Sequence, residues 1–178
     1  MILKREQVTQ KLLKEFLDYD PMTGHLTWIK KLSVKVVVGN RAGSHPKGRD
    51  SRTIKIFGVM FMEHRLIWLY LYGYYPKRNQ HIDHINHIEH DNSKDNLRLV
   101  TQAVNNRNSS LRCDNTAGRT GIWINHKSKA NKYVAEIRDS NSKKITKSFP
   151  TYADASHQRD LWEMQYGYHT NHGITKPS

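Results

Sequence analysis

The stretch from about His81 to Ser110 constrains the fold most, because its pattern admits few secondary structures. Gln80-His81-Ile82-Asp83-His84-Ile85-Asn86-His87 reads as a short strand, and Leu97 to Val100 as a second. Between them lies a polar run containing Asp91-Asn92 and Asp95-Asn96. Thr101 has the character of an N-cap for a helix over Gln102 to Asn108. The expected order is therefore strand, long polar loop, strand, helix. A strand sends neighbouring side chains to opposite faces, so Asp83 and His84 can serve two separate tasks.

Those residue types suit hydrolysis of a phosphate ester. Such a reaction needs a water activated for attack and a means of neutralising charge on the phosphate and leaving oxygen. A neutral imidazole accepts a proton near neutral pH, which His84 can do. A hard divalent ion takes oxygen donors, and Asp83 offers a carboxylate and Asn105 an amide oxygen, provided the fold brings them together. The residues alone leave other readings open. Taken singly, His81, His84, His87 and His90 read first as surface or structural residues of a solvated loop, and a histidine cluster binding a transition metal opportunistically, zinc included, is the other reading.

Charge narrows the class of partner. Lys and Arg number 29 against 16 Asp and Glu, a formal net charge of +13 among 178 residues. A surplus of that size points to a polyanion, since Lys and Arg contacts to phosphates release condensed counterions. The single cysteine, Cys113, excludes an internal disulfide and a thiolate zinc cage. MILKREQVTQ has no apolar run of signal-peptide length, and the longest apolar stretch, Leu66 to Leu71, is too short to cross a bilayer. The expectation is an intracellular, soluble protein with no membrane association and no small-molecule partner.

Upstream, Lys4 to Leu17 has the spacing of an amphipathic helix through Val8, Leu12, Leu13 and Phe16. Asp20-Pro21-Met22-Thr23-Gly24 is a turn, and His25 to Lys30 a strand. Gly39 to Asp50 reads as a mobile basic loop. Arg52 to Phe57 and Val59 to Met62 form a hairpin around Gly58, and His64 to Tyr72 a helix ended by Gly73.

The motifs resemble those of a known family. Asp83-His84-Ile85-Asn86, Asp91-Asn92, Asp95-Asn96-Leu97-Arg98-Leu99-Val100-Thr101 and Asn105-Asn106-Arg107-Asn108 are similar to the signature of HNH homing endonucleases of phage and introns. The resemblance implies a ββα-metal fold with His84 as general base. It implies Asp83 and Asn105 as ligands of Mg2+ (or Mn2+), and Asn96 as the residue that holds the loop through backbone hydrogen bonds. Tyr19 to Trp28 and His64-Arg65-Leu66-Ile67-Trp68 are similar to segments that precede the motif in phage members. His64, Arg65, Arg107 and Asn108 thus become possible neighbours of the active site. Members often carry Gly where this chain has His87, and Arg where it has Ser93.

The C-terminal part carries three strand patterns, Thr120 to Asn125, Tyr133 to Arg138 and Lys144 to Phe149. A helix over Tyr152 to Tyr166 follows, with Thr151 as N-cap and Gly167 as stop. Between Leu111 and Pro150 there are nine basic and three acidic residues, with Trp123 and Tyr133 interleaved. Such a sheet can lie against DNA, though at least one of those aromatics is expected in the core. Gly121-Ile122-Trp123, Tyr133 to Asp139, Phe149 and Tyr152-Ala153-Asp154-Ala155 resemble the APETALA2-type DNA-binding domain. That resemblance implies a three-stranded sheet read against the major groove by Arg138, with Trp123, Asn125, Lys132 and Lys144 as further contacts.

Together these readings predict an α+β chain in four parts. Residues 1–80 form a DNA-binding or support region, 81–110 the nuclease motif, 111–116 a linker and 117–178 the APETALA2-like domain. The expected activity is metal-dependent hydrolysis of duplex DNA, as a nick or a double-strand break, by a monomer or homodimer. The alternative is a non-catalytic DNA-binding regulator with a degenerate nuclease domain; an RNA-binding protein is a third reading.

Overall fold

A computed structural model describes residues 2–48, 51–111 and 113–174. Arg49 and Asp50 of the expected basic loop, and the linker residue Arg112, lie outside the described residues. The fold is mixed α+β, and the chain divides into two compact units, Met1–Val100 and Thr101–Ser178.

In the first unit the expected N-terminal helix is shorter than its apolar spacing suggests. A single 3-10 turn, Arg5–Gln7, precedes α1 (Gln10–Phe16), which Thr9 caps by accepting the Leu12 N–H. The chain then becomes extended at once as β1 (Leu17–Asp20), paired in antiparallel register with β2 (His25–Trp28). The reason is packing. Leu17 and Tyr19 alternate into the core as strand residues, while their spacing from Leu13 and Phe16 also fits a helix.

A second hairpin joins β3 (Thr53–Ile56) to β4 (Val59–Met62) through Phe57 and Gly58, both at positive φ. Two left-handed residues make the tight turn that matches strand twist. Chain 39–44, expected to be mobile, is instead stitched to the first hairpin and to β3. Ala42 N–H donates to Leu26 O at 2.7 Å, and Ser44 and Thr53 exchange two bonds of 2.9 Å. Helix α2 (Glu63–Tyr72) follows and stops at Gly73 in the left-handed conformation. Leu13, Leu17, Leu26, Ile54, Phe61, Leu66 and Leu97 belong to one core, so both hairpins and both helices bury a common face. Strand β5 (Gln80–His84) pairs with β6 (Leu97–Thr101), as the polar-loop reading expects.

The second unit begins as β6 ends. Thr101 caps α3 (Gln102–Asn106), accepting the Val104 N–H at 3.4 Å. Strands β7 (Ile122–Ile124), β8 (Tyr133–Arg138) and β9 (Lys144–Phe149) form one antiparallel sheet. Helix α4 (Tyr152–Gln165), capped by Thr151, shares with that sheet a core of Ile122, Ala135, Ile137, Ala155 and Trp162. Arg159 is 2% exposed and fills the space beside Gly121, with its guanidinium on the Glu136 carbonyl and the Glu163 carboxylate. A buried guanidinium so paired is tolerated because its donors are used.

Candidate active site

His84 is the last residue of β5 and is 9% exposed. Its Nε2 lies 3.0 Å from Asn92 Oδ1. Asn92, 1% exposed, donates in turn from Nδ2 to Glu63 Oε2 at 2.9 Å. Glu63 opens α2 and is 1% exposed, with Arg41 at 3.2 Å and Arg52 at 3.9 Å. Burial raises the Glu63 carboxyl above its ordinary range, while the Arg41 and Arg52 charges and the Asn92 hydrogen bond pull the other way. Neither Glu63 nor Asn92 stood out as a site residue in the sequence. Asn92 sat inside a recognisable motif, but Glu63 is separated from it by 29 positions and carries no local signal.

His64, one residue into α2, stands edge-on to the His84 ring with centroids 5.4 Å apart. Burial pushes the His64 imidazole down to about 4, and the neighbouring His84 and Arg65 add to the shift. The expected neighbour His64 is therefore beside His84 and neutral at physiological pH, while Arg65 is exposed on the same helix.

Asp83 is 8% exposed and meets Arg98 across the β5–β6 pair, its Oδ2 at 2.9 Å from Nε and 2.8 Å from Nη2. Both approaches are to the same carboxylate oxygen, with Nε as the hydrogen-bond donor, so the guanidinium charge holds that oxygen in place. Asp83 and His84 thus have separate partners, as adjacent strand positions require.

The polar loop between the strands is braced in part by its own side chains. Asn96, 8% exposed, accepts the Asn86 N–H at Oδ1 (2.9 Å) and donates from Nδ2 to the Asp91 carbonyl (2.7 Å). Asp91 accepts from Asn86 Nδ2 at 2.6 Å and from both N–H and Oγ of Ser93. Burial acts to raise the Asp91 carboxyl, but those Ser93 and Asn86 donors outweigh it and the net shift is downward. His87 adopts φ +65, a left-handed turn conformation of the kind glycine takes most readily. Tyr19 clamps the loop from outside, its hydroxyl donating to the Asn92 carbonyl at 2.9 Å.

The remaining expected residues lie in the second unit. Asn105 is half-buried on α3 and its carbonyl accepts the Asn108 N–H at 3.0 Å. Arg107 donates to the Asp139 carbonyl at 3.3 Å and covers the Tyr168 ring, and Asn108 is 2% exposed. Trp123, Arg138 and Lys144 share the face of the β7–β9 sheet opposite the core, by strand register and alternation. Trp123 is 46% exposed, whereas Tyr133 packs against the core. Glu136 is on the open face too and holds Lys144 at 2.7 Å. Asn125 N–H donates to the Lys132 carbonyl at 2.7 Å, continuing the ladder past the strand ends.

No group of three or more His, Cys, Asp or Glu side chains suited to holding a metal occurs among the described residues. The two ligands expected from the sequence, the Asp83 carboxylate and the Asn105 amide, are hard oxygens, the donor chemistry that magnesium takes while keeping water or phosphate in its remaining positions.

A buried imidazole at a strand end, an adjacent carboxylate and an asparagine-locked loop define a site suited to hydrolysis with a histidine base. Residues 62–107, from the end of β4 past α3, match the family model described as HNH endonuclease. This match supports an HNH nuclease, with DNA as its substrate. No curated protein and no solved structure matches the chain. Among the described residues no helix is long and apolar enough to cross a membrane.

Proposed function

We propose that this chain is a metal-dependent HNH endonuclease that hydrolyses phosphodiester bonds in duplex DNA, of the homing type found in phage. The observation that carries the proposal is the buried His84, hydrogen-bonded through Nε2 and set beside the Asp83–Arg98 pair, inside the segment that matches HNH endonucleases.

In this reading His84 takes a proton from the attacking water. Asp83 and Asn105 would hold Mg2+ or Mn2+, which when bound neutralises the scissile phosphate and the departing 3′ oxygen. Arg98 keeps the Asp83 carboxylate oriented, and Asn96 maintains the loop that carries Asn92. The product would carry a 5′ phosphate. Residues 1–80 support the nuclease motif at 81–110, and 117–178 act as an APETALA2-type duplex-binding module beyond a linker at 111–116. The open sheet face bearing Trp123, Arg138 and Lys144 supports that assignment, as does the basic surplus of the chain.

A supercoiled-plasmid assay tests the reading. The wild type should nick plasmid with magnesium and stop in excess chelator. His84→Ala should lose cleavage while keeping most of its duplex affinity in a gel-shift assay. Cleavage by His84→Ala at the wild-type rate would remove the histidine mechanism, and activity in excess chelator would remove the metal. A wild type that binds DNA and never cuts it would favour a non-catalytic regulator.

A further inference from the structure

We infer that Asn92, oriented by Glu63, is a positioning residue that holds the His84 proton on Nε2 and so makes Nδ1 the nitrogen that accepts the proton from water. The inference rests on the nuclease reading for its consequence, and on geometry alone for its first half.

An asparagine amide presents an oxygen that accepts and a nitrogen that donates, and density or sterics rarely distinguish them; the surrounding network does. Here the network leaves one orientation. Glu63 Oε2 takes hydrogen bonds from Arg41 Nη2 at 3.2 Å and from Asn92 at 2.9 Å. A carboxylate oxygen facing a guanidinium acts as an acceptor, so the Asn92 group turned toward it is the NH2. Its other end, Oδ1, therefore faces His84 Nε2 at 3.0 Å and can only accept. The imidazole must donate there, and in its neutral form the lone pair then resides on Nδ1.

Every part of this relay is held by something else. Glu63 and Asn92 are each 1% exposed, so water does not compete for the bonds. Glu63 is anchored by Arg41 and Arg52, which belong to the chain around the second hairpin. The Asn92 backbone carbonyl is gripped by Tyr19 at 2.9 Å, and Lys94 N–H donates to the Pro21 carbonyl at 3.1 Å. The N-terminal hairpins therefore set the rotamer and tautomer of His84 through one buried amide. This gives the region before the nuclease motif a role in the chemistry, beyond any part in binding DNA.

The test uses the full chain with 15N-labelled histidine, its His84 signals assigned by comparison with His84→Gln. The 15N shifts and couplings should place the proton of neutral His84 on Nε2; a proton on Nδ1 would overturn the inference. Asn92→Ala should lower the single-turnover cleavage rate by about 10–100-fold without changing duplex affinity. Full wild-type rate in folded Asn92→Ala would also overturn it. Because that variant opens a buried site, a charge-conserving exchange is the second arm. In E63Q/N92D the glutamine amide donates to the new carboxylate, which still offers an acceptor to Nε2. The exchange should keep the Nε2–H signature and recover most of the rate, while a double variant as slow as Asn92→Ala would count against the relay. Failure of the nuclease reading looks different. The wild type then cuts no DNA, whatever tautomer the spectrum reports.

Discussion

Replacing Gly24 with alanine should unseat the loop that carries Asn92, at a cost that can be worked out contact by contact. Gly24 ends the β1–β2 turn at φ +70, and a Cβ there would lie 2.2 Å from the Asn92 carbonyl carbon and 2.3 Å from Ser93 N. Ordinary contact begins near 3.4 Å, so turn and loop must separate by about 1 Å. Both partners are backbone, which cannot swing aside as a flexible side chain does. The bonds at risk are Lys94 N–H to Pro21 O (3.1 Å) and Tyr19 hydroxyl to Asn92 O (2.9 Å). Each contributes about 1 kcal/mol, and a non-glycine residue at positive φ costs about 1–2 kcal/mol more.

The total is about 3–4 kcal/mol. Gly39→Ala supplies the control, because Gly39 also has positive φ (+88) yet nothing lies within 4 Å of its added Cβ. It should show the backbone strain alone, about 1–2 kcal/mol. The assay is urea unfolding of both variants, localised to residues 17–30 and 86–98 by hydrogen exchange. With an m-value of about 2 kcal/mol per molar, Gly24→Ala should unfold about 1 M earlier than Gly39→Ala. Coincident midpoints would refute the claim that the hairpin turn is wedged against the loop.

Two further outcomes follow from the same geometry. The folded-state pKa of His64, about 4, lies below its ordinary 6.5, so the unfolded chain takes up the proton first as pH falls. Stability is therefore full above about pH 6.5 and is lost toward pH 4, by up to about 3 kcal/mol, and His64→Gln should flatten urea midpoints measured at pH 7.5 and 4.5. An unchanged slope would show that His64 is not the group responsible. On the open sheet face, Trp123→Ala and Arg138→Ala should each weaken duplex binding about tenfold in fluorescence anisotropy, with melting temperature unchanged. Undiminished affinity in both would remove that face from the DNA interface.

Local periodicity made much of the second unit legible. Tyr133–Arg138 and Lys144–Phe149 are strands with the residues that alternation marks, and Thr151 caps α4 as its hydroxyl and position suggest. The helix boundary at Phe16 was not legible in this way, because Leu13, Phe16 and Leu17 fit a continuing helix until the partner strand β2 is known. The basic loop misled for a related reason. Gly, Lys and Ser signal mobility, but the pairing of 42 with 26 and 44 with 53 can be seen only when β2 and β3 are in place.

The opening stretch, His81 to Ser110, divides along the same line. By itself the sequence determined its order of strand, polar loop, strand and helix, and the side-by-side chemistry of Asp83 and His84, since both follow from near neighbours along the chain. Only the tertiary structure decided that His84 leans on an amide oxygen. It also placed a buried glutamate from 29 positions away, with two arginines behind it. The physical reason is that a tautomer is chosen by whichever group faces the ring. In a packed interior that group is supplied by remote segments, whose approach is set by the common core and not by spacing along the chain.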